Sequence, residues 1–227
     1  MTARVLKPFV AAVAAMLIAA NGVVTAQGSR LPPADEATAD ITWMRFKARL
    51  LNALAKRDQN ALMSSVDTRI RNTSDKNGVA EFRRLWKPQF ADSALWSELP
   101  RLLFLGGAYI KREKGPREFC APYIYYLWPD DASGAVDAAI IARETLLKAQ
   151  ASSAAETLQT LSYDLVQALD WEIADENPDS KQKWVKVQAK SGVGYVPEEQ
   201  IRSPLEHRAC FSKGANGWRM TSFELGE

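Results

Sequence analysis

The chain of 227 residues has one histidine and two cysteines, which narrows the chemistry open to it. A lone His207 cannot assemble the paired-histidine ligand sets of the common zinc hydrolases, so neither a metal nor another cofactor is expected. A Ser/His or Cys/His nucleophilic system would have to run through His207, yet no nucleophile elbow stands near it, and a surface or strand-edge histidine is the plainer reading. No phosphate-cradling glycine motif is present. A glycosidase needs only two carboxylates. Glu81, Glu98 and Glu118, however, fall in different predicted elements, and nothing in their spacing marks a pair. Arg83, Arg84 and Lys87 crowd one predicted helix and residues 111–117 form a mixed-charge loop, both as expected of solvated faces. The better candidates are aromatic. Tyr163, Trp171, Trp184 and Tyr195 fall at strand ends or on the outer face of a strand-rich segment, beside the acidic loop Ala174-Asp175-Glu176-Asn177-Pro178-Asp179-Ser180. Flat rings give contact area at low entropy cost, a common basis for binding extended chains. The competing reading packs the same rings between that segment and the unit before it.

The segment that must position these rings centres on Trp184-Val185-Lys186-Val187-Gln188-Ala189. Val185, Val187 and Ala189 alternate with Trp184, Lys186 and Gln188, the pattern of a strand with one buried face. Lys190-Ser191-Gly192 supplies turn chemistry, and Gly194 suits a place where the strand bends or another chain comes close. A small β-barrel is implied. Upstream, Trp43, Phe46, Leu50 and Leu54 recur at helical spacing behind a capping Asp40, and Asp58 opens a short second helix. Val66 to Ile70 alternates like a strand. Phe82, Leu85 and Trp86 line a helix stopped by Pro88. Leu95, Trp96, Leu99, Leu102 and Leu103 mark another, which Pro100 should kink or split. Two strands follow, one at Tyr109-Ile110 and one from Phe119 to Leu127.

Around its central hairpin the chain resembles the bacterial SH3 domain family. Trp184-Val185-Lys186-Val187, Gly192-Val193-Gly194-Tyr195-Val196, the turn Pro197-Glu198-Glu199-Gln200 and Ile201 follow the family's order. Leu146-Leu147-Lys148-Ala149 and Thr160-Leu161-Ser162-Tyr163-Asp164-Leu165-Val166 look like its opening strand and the segment after it. Lys148 and Ala151 stand where the family usually has Arg and Pro. The resemblance covers residues 136–203 and implies an SH3-like five-stranded barrel without naming its ligand. The preceding unit is similar, at Leu95-Trp96, Leu105-Gly106-Gly107 and Phe119-Cys120-Ala121-Pro122-Tyr123, to the segment that precedes SH3 modules in secreted bacterial proteins of unassigned activity.

Residues 1–26 read as a secretory signal peptide, with basic Arg4 and Lys7, an apolar run from Phe9 to Ala20, and Val24-Thr25-Ala26 before Gln27. A retained anchor is the alternative, although the run is shorter than the roughly 18–20 residues a spanning helix needs. Of 29 Lys and Arg, Arg4 and Lys7 leave with this segment, so 27 face 27 Asp and Glu. A neutral mature chain has no global field drawing it to nucleic acid or anionic lipid.

The expected organisation is α+β: a flexible lead-in at 27–40, a mostly helical α+β domain with a small sheet at 41–130, the SH3-like barrel at 137–203 and a terminal hairpin at 205–227. In an exported chain Cys120 and Cys210 are expected to pair, which brings that hairpin back onto the first unit and makes the barrel an insertion. The functional expectation is a non-enzymatic periplasmic or secreted protein. Its SH3-like module would dock onto cell-wall peptide or a periplasmic protein partner, with no nucleic acid and no stable membrane insertion after cleavage. A cell-wall hydrolase with the barrel as targeting module is the alternative.

Overall fold

The structure is a computed structural model that describes residues 29–110 and 117–225. The expected signal peptide and residues 111–116 of the charged loop lie outside the described residues. The fold is mixed α+β, with five α-helices and two sheets among the described residues. In order, the first part comprises α1 (Ile41–Ala55), α2 (Gln59–Ser64), β1 (Val66–Arg71), α3 (Val79–Trp86), α4 (Leu95–Phe104), β2 (Ala108–Ile110), β3 (Glu118–Ala121) and α5 (Tyr123–Tyr126). Then come β4 (Asp137–Ile140), β5 (Thr145–Lys148), β6 (Thr157–Leu161), β7 (Leu165–Ala174), β8 (Lys183–Ala189), β9 (Gly192–Pro197) and β10 (Ile201–Arg202). The hairpin β11 (His207–Gly214) and β12 (Gly217–Leu225) follows.

The expected caps form. Asp40 accepts from the backbone N–H groups of Thr42 and Trp43 at 2.8 and 3.1 Å, and Asp58 from that of Ala61 at 3.0 Å. These bonds satisfy donors that a helix start leaves open. Helix α4 runs through Pro100 as one element, because Leu95, Trp96, Leu99, Leu102 and Leu103 are buried on both sides of the proline and hold the helix to the core. The strand expected from Phe119 to Leu127 stops at Ala121, where Pro122 has no N–H to give a ladder, and α5 begins.

The five-stranded sheet has the order β1-β12-β11-β3-β2. Its centre is therefore the hairpin β11–β12, antiparallel to β3 on one side and parallel to β1 on the other. The helices pack a ring cluster against it. Trp43, fully buried, lies 4.4 Å from Phe119, 5.0 Å from Phe211 and 5.1 Å from Trp218 between centroids. The Trp218 indole N–H donates to Thr42 Oγ1 at 3.0 Å, fastening the start of α1 to β12. In register, Cys210 faces Cys120, and their sulfurs are bonded at 2.11 Å.

The second sheet has seven strands in the order β10-β4-β7-β8-β9-β5-β6. The expectation of a closed five-stranded barrel needs correction, since among the described residues β10 and β6 end the sheet and do not pair with each other. One short strand outside the predicted set, β4, lies between β7 and β10, the latter at Ile201 where the resemblance places the last strand, while register shifts along β7 bend the strand. The β8–β9 hairpin is as read from sequence, with Ala189 opposite Gly192 across Lys190-Ser191. At Gly194 a Cβ would come within 2.7 Å of Leu147 and 2.8 Å of the Lys148 carbonyl oxygen. Only glycine lets β5 cross there.

Residues 29–40 are not a free lead-in, because they lace the two sheets together. The Leu31 N–H donates to the Tyr163 carbonyl at 2.8 Å, the Leu165 N–H to that of Ser29 at 2.9 Å and the Tyr123 hydroxyl to that of Leu31 at 3.2 Å. Leu31 is buried with Tyr123, Ile124 and Ala139 in a small core of its own. Tyr123 loses water there, which pushes its hydroxyl up to about 12.

The disulfide joins positions 90 residues apart in sequence, and the chain-entropy estimate for a loop of this size is about 4–5 kcal/mol. Cys120→Ser is therefore expected to lower the urea midpoint and speed amide exchange in β11 and β12. An unchanged midpoint with equally protected strands would show that the bond adds nothing.

Candidate functional site

The four rings singled out in the sequence do not converge. Tyr163 sits in the β6–β7 turn at φ 61°, and its hydroxyl accepts from Arg143 Nε at 3.2 Å. Trp171 is half-buried against the core of the seven-stranded sheet and lines a cleft of about 230 Å³ with Arg101 of α4, Glu172, Glu198 and Glu206. Trp184 is only 2 % exposed, and its indole N–H donates to Asp175 Oδ2 at 2.8 Å, so the acidic loop folds over it. Tyr195 is half-buried on β9, with Lys186 and Lys148 as its cross-strand neighbours. Among the described residues, no ring contact joins any two of these four.

A better-formed site lies in the first unit, assembled by α3 and the ends of the terminal hairpin. Pairing of β11 with β12 sets His207 opposite Leu225 and Ala209 opposite Phe223, and the two-residue period puts all four on one face. Trp86, the last residue of α3, lies flat on Phe223 at 4.0 Å and 12° between ring planes. The helix ends there because Lys87 turns to φ 44°, in the left-handed region. The His207 ring meets the Trp86 ring edge-on at 4.9 Å. With Asn72, Leu85, Phe223 and Leu225 these rings line a cleft of about 400 Å³.

Asn72 forms a polar corner of the wall. It is 4 % exposed, and its side-chain amide donates to the carbonyls of Gly78 at 3.0 Å and Ile70 at 3.3 Å. Its Oδ1 is buried without a hydrogen-bond partner among the described residues. An acceptor left in that state costs about 1–3 kcal/mol. Burial lowers the pKa of His207, against the pull of Glu98 and Glu206 and with the help of Arg202, so its ring is neutral at pH 7. Glu224, also on the rim, lies 3.6 Å from Arg208 Nε and 4.0 Å from Arg71 Nε. The cleft thus suits an uncharged apolar group.

The sequence reading assigned Trp86 to a core face and His207 to a strand edge. The register of the predicted hairpin was the available signal, since it sets the lone histidine across from Leu225. As to metals, Glu118, Cys120 and Cys210 place ligand atoms within 4.8 Å of one another, but both sulfurs are consumed in the disulfide and offer no thiolate. Glu118 is a structural acceptor there, bonded by Thr221 Oγ1 at 2.8 Å and Ser212 Oγ at 3.3 Å. No helix among the described residues is long and apolar enough to cross a membrane.

No protein-family model, curated protein or solved structure matches the chain.

Two outcomes follow from the placement of these side chains. Trp184→Phe, which removes the bond to the Asp175 carboxylate, is expected to cost about 1–3 kcal/mol in urea unfolding. For His207, the folded pKa lies below the ordinary 6.5, so the unfolded chain takes up the proton first as pH falls. Stability is then full above about pH 6.5 and declines as pH drops towards the depressed folded value. Unfolding at pH 7.5 and 5.5 should show a smaller decline in His207→Gln than in the parent chain, and equal declines would contradict this sign.

Proposed function

We propose that this is a non-enzymatic exported binding protein that docks onto cell-wall peptide or a periplasmic protein partner. The ligand's apolar group enters the Trp86–His207–Phe223 cleft, and residues 137–203 act as an SH3-like module that braces the unit bearing it. The observation carrying this reading is the cleft itself, where the half-buried Trp86 and His207 rings and the exposed Leu85 and Leu225 side chains meet over the buried Phe223 at one junction of helix and sheet. Clefts with mostly apolar walls and a few fixed polar groups are the usual form of binding sites.

The SH3-like assignment is supported by the order of the resembling segments, by the tight β8–β9 hairpin and by the close crossing at Gly194. Export is supported by the character of residues 1–26, and the Cys120–Cys210 bond is compatible with it. A neutral mature chain fits recognition by ring contact in preference to long-range attraction.

Co-sedimentation of the mature protein with purified peptidoglycan, beside chemical cross-linking in periplasmic extract, tests the proposal. Leu225→Ser and Trp86→Ala should each weaken retention about tenfold or more, as expected for loss of a buried apolar contact. Phe104→Ser, at an exposed position outside the cleft, should leave retention unchanged. Retention that ignores both cleft substitutions would reject the site, and release of soluble muropeptides by the purified protein would reject the non-enzymatic reading.

A further inference from the structure

Each sheet ends in two edge strands, and a bare edge is a template for another strand because its outward N–H and C=O groups have no ladder to join. Three of the four edges are closed by the chain itself. On β1 the Ile70 carbonyl accepts the Gly78 N–H at 2.7 Å, and the Asp67 carboxylate takes the Arg69 N–H at 2.8 Å. On β2 the Tyr109 N–H donates to Glu36 Oε2 at 2.7 Å, while the Glu36 N–H holds the Gly107 carbonyl at 3.0 Å. β10 is two residues long, and both are buried. The fourth edge, β6, pairs with β5 alone among the described residues. Its residues Thr157-Leu158-Gln159-Thr160-Leu161 include none of the charges or prolines that guard such edges, and Thr157, Leu158 and Thr160 are exposed. The register shifts once, at Leu158, and from Gln159 to Leu161 the strand runs evenly against β5.

A bare strand takes another strand, and two features select a second copy of this one. Antiparallel pairing about a dyad at Gln159, the middle residue, sets Leu158 opposite the partner's Thr160. Leu146 of β5 already stands opposite Thr160, so each row across the contact reads Leu146, Thr160, the partner's Leu158. Opposite residues of neighbouring strands share a face, and Leu146 and Leu158, 41 % and 44 % exposed, gain apolar neighbours at two symmetric places.

The charges at the ends of the strand match as well. Lys148 and Glu156 stand beside the start of β6, where Lys148 Nζ donates to the Ala155 carbonyl at 2.9 Å and to Thr157 Oγ1 at 3.0 Å. Arg143 and Glu144 stand beside its end, where Arg143 Nε donates to the Tyr163 hydroxyl at 3.2 Å and the Glu144 N–H to Ser162 Oγ at 3.1 Å. None of these four forms a salt bridge among the described residues. Antiparallel pairing brings the start of one strand to the end of the other, so each sign meets its opposite. A foreign peptide would have to supply both patterns, whereas a second copy has them by symmetry.

We infer that the chain self-associates through β6, two copies pairing antiparallel about Gln159 so that their seven-stranded sheets join into one. This surface belongs to the other sheet from the Trp86 cleft, and the inference stands or falls apart from the proposed function. One short strand is a small contact, so the association is weak and follows mass action.

Sedimentation equilibrium of the mature chain from about 10 µM to about 1 mM should show a monomer giving way to a dimer. Leu158→Lys, a charge placed at an exposed edge position, should weaken the dimer about tenfold or more with the urea midpoint unchanged. Across the dyad the two residues at 159 have Cβ atoms about 4.5–5.5 Å apart, so mild oxidation of Gln159→Cys should link two copies. Leu169→Cys, at an exposed position on β7, should not cross-link. A chain that stays monomeric over the whole series, an association that Leu158→Lys leaves unchanged, or equal cross-linking at 159 and 169 would overturn the inference.

Discussion

The register between β11 and β3 is the constraint on which the rest of the molecule depends. Setting Phe211 opposite Phe119 surrounds the Trp43 ring, and setting Cys210 opposite Cys120 lets the sulfurs bond. The same β11, through its pairing with β12, lays Phe223 under Trp86 and His207 at the mouth of the cleft. A slip by one residue would turn every one of these side chains to the opposite face. Core, covalent staple and binding surface are three outcomes of one alignment, and the aromatic cluster and the disulfide penalise any other.

The strand-rich unit is tied to this arrangement at both of its ends. Before it, the strap at residues 29–40 pairs with the turn around Tyr163, and after it Arg202 is buried where the chain returns to β11. A buried guanidinium is costly unless it is paired and hydrogen-bonded. Here its Nη2 donates to the His207 carbonyl at 2.9 Å and its Nη1 lies 2.9 Å from Glu206 Oε2, although Nε and Nη1 meet no well-directed acceptor. The charge on the edge strand of the second sheet thus also fixes the backbone of the residue that lines the cleft. The cleft of Trp171 and Arg101 lies at the same junction, so that ring belongs to the contact between the units.

Local signals in the sequence were reliable where a single element decides the outcome. The apolar spacing of α1, its Asp40 cap, the β8–β9 turn, the close approach at Gly194 and the cysteine pairing are each set by neighbours in sequence or by one chemical rule. What escaped the reading depends on residues far apart along the chain. Trp184 alternates with core residues as an outward strand position should, yet Asp175 returns from the preceding loop to bond its indole. Residues 29–40 have the composition of a linker and are ordered because Leu31 finds a small core shared by Tyr123 and Ala139. β4 is four residues long, too short for any period to register, and it adds to the seven-stranded sheet a strand outside the expected set. The cleft itself joins residue 72 to residue 225, a proximity no local pattern encodes.

The order of strands in the five-stranded sheet also bears on how such a chain can mature. β1, β2 and β3 all precede the seven-stranded sheet, while the two strands that fill the gap between β1 and β3 follow it. As the polypeptide emerges from its N-terminus, the early helices and strands stand around an empty middle, with the apolar faces of α1 and α4 uncovered. Only when residues 207–225 are threaded into that gap does the hydrophobic interior close. A nascent chain of this kind gains its stability late and nearly all at once, and until then its exposed surfaces must be kept from other chains.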